Sequence, residues 1–345
     1  MMNVVHEPIA RHSALAQAAY HDVLRALIDE SIADIRGTAS LEKRGGRMYW
    51  YDVYRIGAQV KKRYIGEDTP EIARRIAVQR DLASGRALRS KDRSRLIRVL
   101  AAEGFQRIDA TTGALVGALA QQGAFRLGAT IVGTHAFRLY EGELAVQFRT
   151  TDFLNTNDID IAQFERLSMT VDDQVESPLQ DSFRSLQFDP MPSLQGSAIW
   201  RWRQSQSGTL IEFLTPSFRP EEDIRDLPAL GVSAQSLHFL NYLIADPIKA
   251  AVLYRSGVLV QIPRPERFAI HKLIVADRRR GGPDAIKSRK DRLQASFLIR
   301  ALAEDRPDDL RDAYGEAVAN GPSWRDHISR SLARLPLVDG ILKSL

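Results

Sequence analysis

Two aspartates separated by one isoleucine constrain this chain more than any other feature. Asp158 and Asp160 sit in the run Thr156-Asn157-Asp158-Ile159-Asp160-Ile161-Ala162. Polar and apolar residues alternate over 158–162, which predicts a half-buried strand. Residues two apart on a strand project from the same face. Both carboxylates therefore stand side by side, and Ile159 enters a core behind them. Adjacent carboxylates repel, and burial disfavours their charge. A divalent cation relieves both penalties, and Mg²⁺ takes carboxylate oxygens together with substrate phosphates. A D-x-D triplet alone also describes many solvated loops, so its neighbours decide what it means.

Leu127–Val132 reads as a short apolar strand ending in Gly133-Thr134-His135, after which Ala136-Phe137-Arg138-Leu139-Tyr140 can begin a helix. Glycine lets a backbone come close to a ligand, and the free amides and dipole of a helix start favour a phosphate. Gly208–Leu214 reads as a further strand whose one acid is Glu212. A lone carboxylate in an apolar run is costly unless it is paired or bound to metal.

Strand, Gly-Thr turn, helix, D-x-D strand and a strand with one more acid: this order resembles the nucleotidyltransferase superfamily of the DNA polymerase β type. It is most similar to a bacterial group with that fold, through Val132-Gly133-Thr134-His135-Ala136-Phe137, the T-x-D-I-D run, Phe213-Leu214-Thr215-Pro216 and Phe268-Ala269-Ile270-His271-Lys272-Leu273. The resemblance covers most of the chain, including an N-terminal segment ending in Tyr64-Ile65-Gly66. It implies a phosphate turn at Gly133 and Thr134; His135 follows this turn, where it can touch the nucleotide, although a lone histidine is more often structural. The resemblance also implies a metal pair at Asp158 and Asp160 with Glu212 as third acid, and a triphosphate contact at Lys272. Lys290-Asp291 resembles the family's K-D pair on the following helix. Two departures stand out. Thr134 and Asp158 are 24 residues apart, where the superfamily usually has about a dozen, and the third acid is Glu rather than Asp.

The activity so implied uses two Mg²⁺ ions, with Mn²⁺ as a substitute, and a nucleoside triphosphate such as ATP. An NMP passes to a hydroxyl of an acceptor, and pyrophosphate leaves. RNA (tRNA included), a protein or a small molecule could be that acceptor, and a toxin–antitoxin pair is one setting in which related enzymes occur. Two rival classes stand beside this one: a nucleotide- or RNA-binding module that has lost catalysis, and a two-metal nuclease. The Gly-Thr turn favours a nucleoside triphosphate over a phosphodiester. Neither the base preference nor the oligomeric state is encoded in a motif.

The chain's 345 residues suggest about two domains. Hydrophobic residues at 44% and charged residues at 26% match an ordinary globular mix, which excludes a disordered chain. With no cysteine there is neither a disulfide framework nor thiolate chemistry, and the seven histidines show no zinc-ligand spacing. No apolar stretch is long enough to span a membrane, and the N-terminus lacks a secretory signal, so a cytoplasmic location is expected. A net charge of +5 suits a triphosphate or a nucleic acid without deciding between them. Basic residues cluster at Lys61–Arg63, between Arg86 and Arg98, and between Arg278 and Arg292.

These readings predict an α+β protein: a polymerase β-like palm with a mixed sheet and flanking helices, between an N-terminal helix and β-hairpin lobe and a C-terminal helical lobe. The expected parts are 1–103, 104–220 (catalytic) and 221–345. Expected within the first are a helix over 10–36, strands at Arg47–Arg55 and Ala58–Gly66, and helices over 70–84 and 90–103. Within the second, Phe105–Asp109 is expected as a strand and Tyr140–Asn155 as a hairpin or loop. Within the third, Ala234–Ala245 is expected to be helical, Ala250–Pro263 a hairpin and Pro265–Arg279 a helix. Tyr49, Trp50, Tyr51 and Tyr54 lie beside Lys61, Lys62 and Arg63. Such interleaving can stack on bases and neutralise phosphates. The plainer reading, preferred here, is that the aromatics pack this small lobe and the cations solvate it.

Overall fold

The computed structural model describes residues 8–31, 37–56, 59–148, 156–165, 174–192, 198–281 and 284–345. The first lobe opens with α1 (Ala14–Ser31), whose buried residues Ala16, Ala19, Tyr20, Val23 and Leu27 recur at helical spacing. Next come β1 (Thr38–Arg44), β2 (Arg47–Ile56) and β3 (Gln59–Glu67), an antiparallel sheet in that order. The expected hairpin is thus widened by β1, whose tight Gly45-Gly46 connection to β2 uses positive φ at both glycines. Two helices follow, α2 (Pro70–Ser84) and α3 (Arg86–Ala102). One face of the sheet is covered: Trp50 and Asp52 are buried, and Gly66 lies against Ile72 of α2.

Phe105–Asp109 is not a strand. Asp109 instead caps α4 (Ala110–Gln121), accepting a hydrogen bond from the Thr112 amide at 2.9 Å. The strand β4 (Thr130–Val132) leads straight into α5 (Gly133–Glu143), so the helix takes the first part of the expected Tyr140–Asn155 loop. Residues 149–155 of that loop lie outside the described residues. Among the described residues, the rest of this region holds β5 (Asp158–Ala162), α6 (Leu179–Ser185), β6 (Phe188–Pro190), β7 (Arg201–Gln204), β8 (Leu210–Pro216), β9 (Ile224–Leu227) and β10 (Val232–Leu237).

Seven of these strands make one mixed sheet, with path β4-β5-β8-β10-β9 and with β7 joining β8 and β6. β5 runs parallel to β8, and β8 parallel to β10, while β4 is antiparallel to β5. The sheet therefore continues past residue 220, through β9 and β10. The helix expected over Ala234–Ala245 is in fact the end of β10 plus a short helix, α7 (Leu240–Leu243). Val232–Leu237 is buried at every second residue, the period of a strand.

β11 (Ile248–Val252) and β12 (Val258–Ile262) form the expected hairpin, and five helices close the chain: α8 (Pro265–Arg278), α9 (Ala285–Asp305), α10 (Pro307–Ala319), α11 (Pro322–Leu332) and α12 (Pro336–Ser344). Each of these except α9 begins with proline, which lacks only an amide that a helix start leaves unpaired anyway. α8 is buried almost all round. It packs on α9 and α11, and its Phe268 meets Phe137 and Tyr140 of α5 at 6.2 and 5.3 Å between ring centres. Arg306 adds ion pairs to Glu143 of α5 and Glu266 of α8. One continuous core spans the sheet and the C-terminal helices, which fixes α8 and α9 over α5 and the edge of the sheet.

Candidate active site

Register brings the acids together. Asp160 lies opposite Val132 of β4 on one side and Glu212 of β8 on the other. Asp158, Asp160, Glu212 and Leu214 share the outer face of the sheet, while Ile159, Ile161, Ile211 and Phe213 are fully buried behind it. The Asp158 amide donates to Thr156 Oγ1 at 3.1 Å, which anchors the start of the strand.

Directly after Val132 the chain turns at Gly133, with φ +64°. A Cβ at this position would overlap Asp160 Oδ2. Glycine is thus required twice, by the left-handed backbone and by the approach of the carboxylate. α5 starts here with no side-chain cap and no acid in its first turn. Among the described residues, its leading amides are left to whatever enters from the cavity.

That cavity is lined by Gly133, Thr134, Asp158, Asp160, Glu212 and Lys272. Six of the seven residues singled out from the sequence therefore meet in one place. The seventh, His135, does not. It lines a separate cavity with Phe105, Arg138 and Glu141, and its Nε2 has no partner among the described residues. Burial pushes the His135 imidazole down to about 4. The unfolded chain takes up a proton near pH 6.5, which the folded chain resists until about pH 4, so this residue costs stability as pH falls through that window. His135→Leu is expected to remove about 2 kcal/mol of the stability lost between pH 8 and pH 5, read from denaturant melts at the two pH values.

Lys272 is only 7% exposed and donates to Asp291 Oδ1 at 2.6 Å, while Arg279 reaches Asp291 Oδ2 at 2.9 Å. Burial pushes the Asp291 carboxyl up, but Lys272 and Arg279 outweigh it and hold the group below its ordinary range. The ammonium of Lys272 is thus fixed in a buried pair at the cavity wall. Sequence reasoning did not single out Lys287 or Arg279, which line the same wall together with Lys290. They had appeared only as members of the basic cluster of 278–292. Burial, and then the neighbouring Lys272, pushes the Lys290 ammonium down to about 8. His271, at the same wall, is pushed down to about 3 by burial and then by Lys272, and stays neutral.

The floor carries the opposite strain. Burial and then the neighbouring Asp158 raise the Asp160 carboxyl above its ordinary range. Glu212 is pushed up to about 7 by burial, then by Asp160 and Asp158. Arg201, its register neighbour on β7, offsets only part of this. The lining also has apolar members, among them Leu214, Leu237, Leu240, Leu243 and Val275.

Among the described residues, no three His, Cys, Asp or Glu side chains are set to hold a metal ion by themselves. The donor chemistry nevertheless fits a hard cation. Two neighbouring carboxylates, with a third one strand away, suit Mg²⁺ completing its shell with substrate phosphates and water rather than in an all-protein cage. No helix among the described residues is long and apolar enough to cross a membrane.

Known proteins bear on this geometry in two places. A family described as "Nucleotidyltransferase" matches residues 110–319. A second, described as "Domain of unknown function (DUF6788)", matches residues 17–74. No curated protein matches the chain. Among solved structures, an antigenic nucleotidyltransferase-like protein from Paracoccidioides brasiliensis is similar at 16% identity, over 65% of this chain and 95% of that one. Its TM-score of 0.32 adds nothing to the fold described above. The match over 110–319 covers more than half of the chain and holds every residue of the acidic cavity, so this protein belongs to the nucleotidyltransferase family.

Proposed function

We propose that this protein is a Mg²⁺-dependent enzyme that moves an NMP from a nucleoside triphosphate to a hydroxyl of an acceptor, releasing pyrophosphate. The observation that carries this reading is the contact between the turn and the acids. Asp160 presses on Gly133 at the start of α5 and stands in register with Glu212, so a phosphate cradle and three carboxylates share one cavity with a cationic wall.

The amides of the Gly133 turn and the Thr134 hydroxyl hold the terminal phosphates, helped by the helix dipole. Lys287, Lys290 and Arg279 neutralise the triphosphate, and the Lys272–Asp291 pair keeps that wall in place. The leucines and Val275 exclude water around the nucleoside. Asp158, Asp160 and Glu212 would hold the divalent cations, which supply Lewis-acid chemistry by acidifying the acceptor hydroxyl and offsetting charge on the leaving group. The acceptor oxygen forms its bond to the α-phosphorus as the bond to pyrophosphate breaks. Positioning and electrostatics account for the acceleration, and no covalent enzyme intermediate is required.

The reaction's products test this. Protein incubated with Mg²⁺, NTPs and a cell extract as acceptor source is expected to release pyrophosphate and not orthophosphate. Orthophosphate alone would point to hydrolysis. NTP binding with no release of either would leave a binding module.

A further inference from the structure

The basic excess of this chain is concentrated in the stretch that forms β1–β3, α2 and α3. Residues 37–103 hold sixteen Lys and Arg against eight Asp and Glu, an excess of eight, larger than the +5 of the whole chain. The remainder of the protein is therefore net acidic. On α3, Lys91, Arg95 and Arg98 are all exposed and spaced four and three residues apart, which puts them on one face of the helix.

The sheet of the same lobe has two unlike faces. Trp50 is buried and Asp52 is fully buried on the face toward α2. On the other face Tyr64 is 57% exposed, and Tyr49 and Tyr51 are half-buried. Their rings adjoin: Tyr64 is 6.1 Å from Tyr49 and 5.8 Å from Tyr51, and the Arg44 guanidinium sits 4.9 Å over Tyr51. Lys62 shares this face, since it lies two residues from Tyr64. Glu42 lies between Lys62 and Arg44 and pairs with both, leaving the face net positive. Of the aromatics expected to pack this lobe, Trp50 is buried, whereas Tyr49 and Tyr51 are half-buried on the open face, where Tyr64 joins them. The family that matches 17–74 is distinct from the one that matches 110–319, although α1 and α3 share a core with Ala251 and Leu253 of the larger part.

We propose that the open face of the β1–β3 sheet docks the acceptor, and that its occupant is a single-stranded segment of RNA. This rests on the transferase reading above. Clustered tyrosines offer π-faces on which successive bases stack whatever their sequence, and cations beside them track the phosphates. Tyrosine and arginine are also common where proteins meet, so the choice of RNA rests on the basic excess of β1–α3 and on the lysines at the sheet edge. Adjacent Lys61 and Lys62 on the β3 edge also oppose the addition of a peptide strand.

Fluorescence anisotropy of a 5′-fluorescein-labelled 15-nucleotide oligouridylate with the full-length protein tests the proposal. Expected are binding that weakens steeply with salt, weaker binding of a duplex RNA of equal length, and a loss of about 10-fold or more in Tyr51→Ala/Tyr64→Ala. Tyr64→Ala alone, at an exposed edge position, gives the same direction should the double variant fold poorly. Failure of the oligonucleotide to bind, or unchanged affinity in a folded Tyr64→Ala protein, overturns the assignment. Asp160→Asn separates the two claims, since it should retain RNA binding while losing transfer. Transfer to some acceptor without RNA binding would sink the docking surface and leave the transferase reading standing. RNA binding without transfer would leave an RNA-binding face but sink its assignment as an acceptor site, together with the transferase reading.

Discussion

Asp160→Asn protein is expected to lose nucleotidyl transfer by about 10³-fold or more, yet to melt at a higher temperature than wild type in EDTA. The two effects have one cause. Asp160 is wedged among Asp158, Glu212 and the Gly133 turn, and its carboxyl is raised by burial and by Asp158. Without a cation, that charge costs stability. Glu212→Gln should behave alike, and here the size can be stated. The folded carboxyl titrates at about 7 against an ordinary 4.5. The folded state therefore holds a proton that the unfolded chain releases, and stability falls as pH rises between these values. Removing the charge should stabilise the metal-free protein by on the order of 2 kcal/mol at pH 8, after allowance for solvent screening, and by nothing below pH 4.5. Thermal melts at pH 4.5 and 8 in EDTA read the difference. A structural acid would give the opposite sign, with loss of stability on neutralisation. Gain of stability with loss of activity is the mark of a site kept strained for function.

Gly133→Ala is expected to destabilise the protein by about 2–4 kcal/mol and to lower transfer by about 100-fold or more. Left-handed backbone at a residue with a Cβ costs about 1–2 kcal/mol. The new methyl group must also displace Asp160 Oδ2, and misplacement of about 1 Å can cost 10²-fold in rate. The displacement acts on an acid that the substitution does not touch chemically. Asp158→Asn, which also lines the cavity but leaves the turn alone, should therefore lose activity with no such loss of stability. Equal activity in Gly133→Ala and wild type would show that the turn and the acid pair do not work as one unit. Melting temperature and steady-state pyrophosphate release, measured on both variants, decide it.

The site was legible in the sequence where local pattern governs it. Period-2 alternation placed Asp158 and Asp160 on one face, and the Gly-Thr turn after an apolar run marked the start of α5. Glu212 stood out as a lone acid in an apolar strand, and register then put it beside Asp160. Lys287 and Arg279 were hidden because a cation on a helix far downstream looks the same in sequence whether it faces solvent or a cavity, and Lys290 stood out only through its resemblance to a family K-D pair. Only the packing of α8 and α9 on α5 brings them in. His135 was misplaced for a related reason. It adjoins the turn in sequence, but helical geometry carries its ring to a different cavity. In the fold, Val232–Leu237 was obscured because its strand period merges into the apolar Leu240–Leu243 turn. The Phe105–Asp109 segment looked apolar enough for a strand, yet Asp109 is committed to capping α4. β1 carried too few apolar residues to announce itself, being largely exposed.

The most direct measurement is transfer of label from NTPs carrying ³²P at the α or at the γ position, with Mg²⁺, into total RNA and protein of a bacterial extract. Asp158→Asn/Asp160→Asn protein serves as the control. The predicted result is label entering an acceptor from the α position only, with the intact acids only. Label entering from the γ position, or transfer that survives in the double variant, would contradict the assignment of this cavity as a nucleotidyl-transfer site.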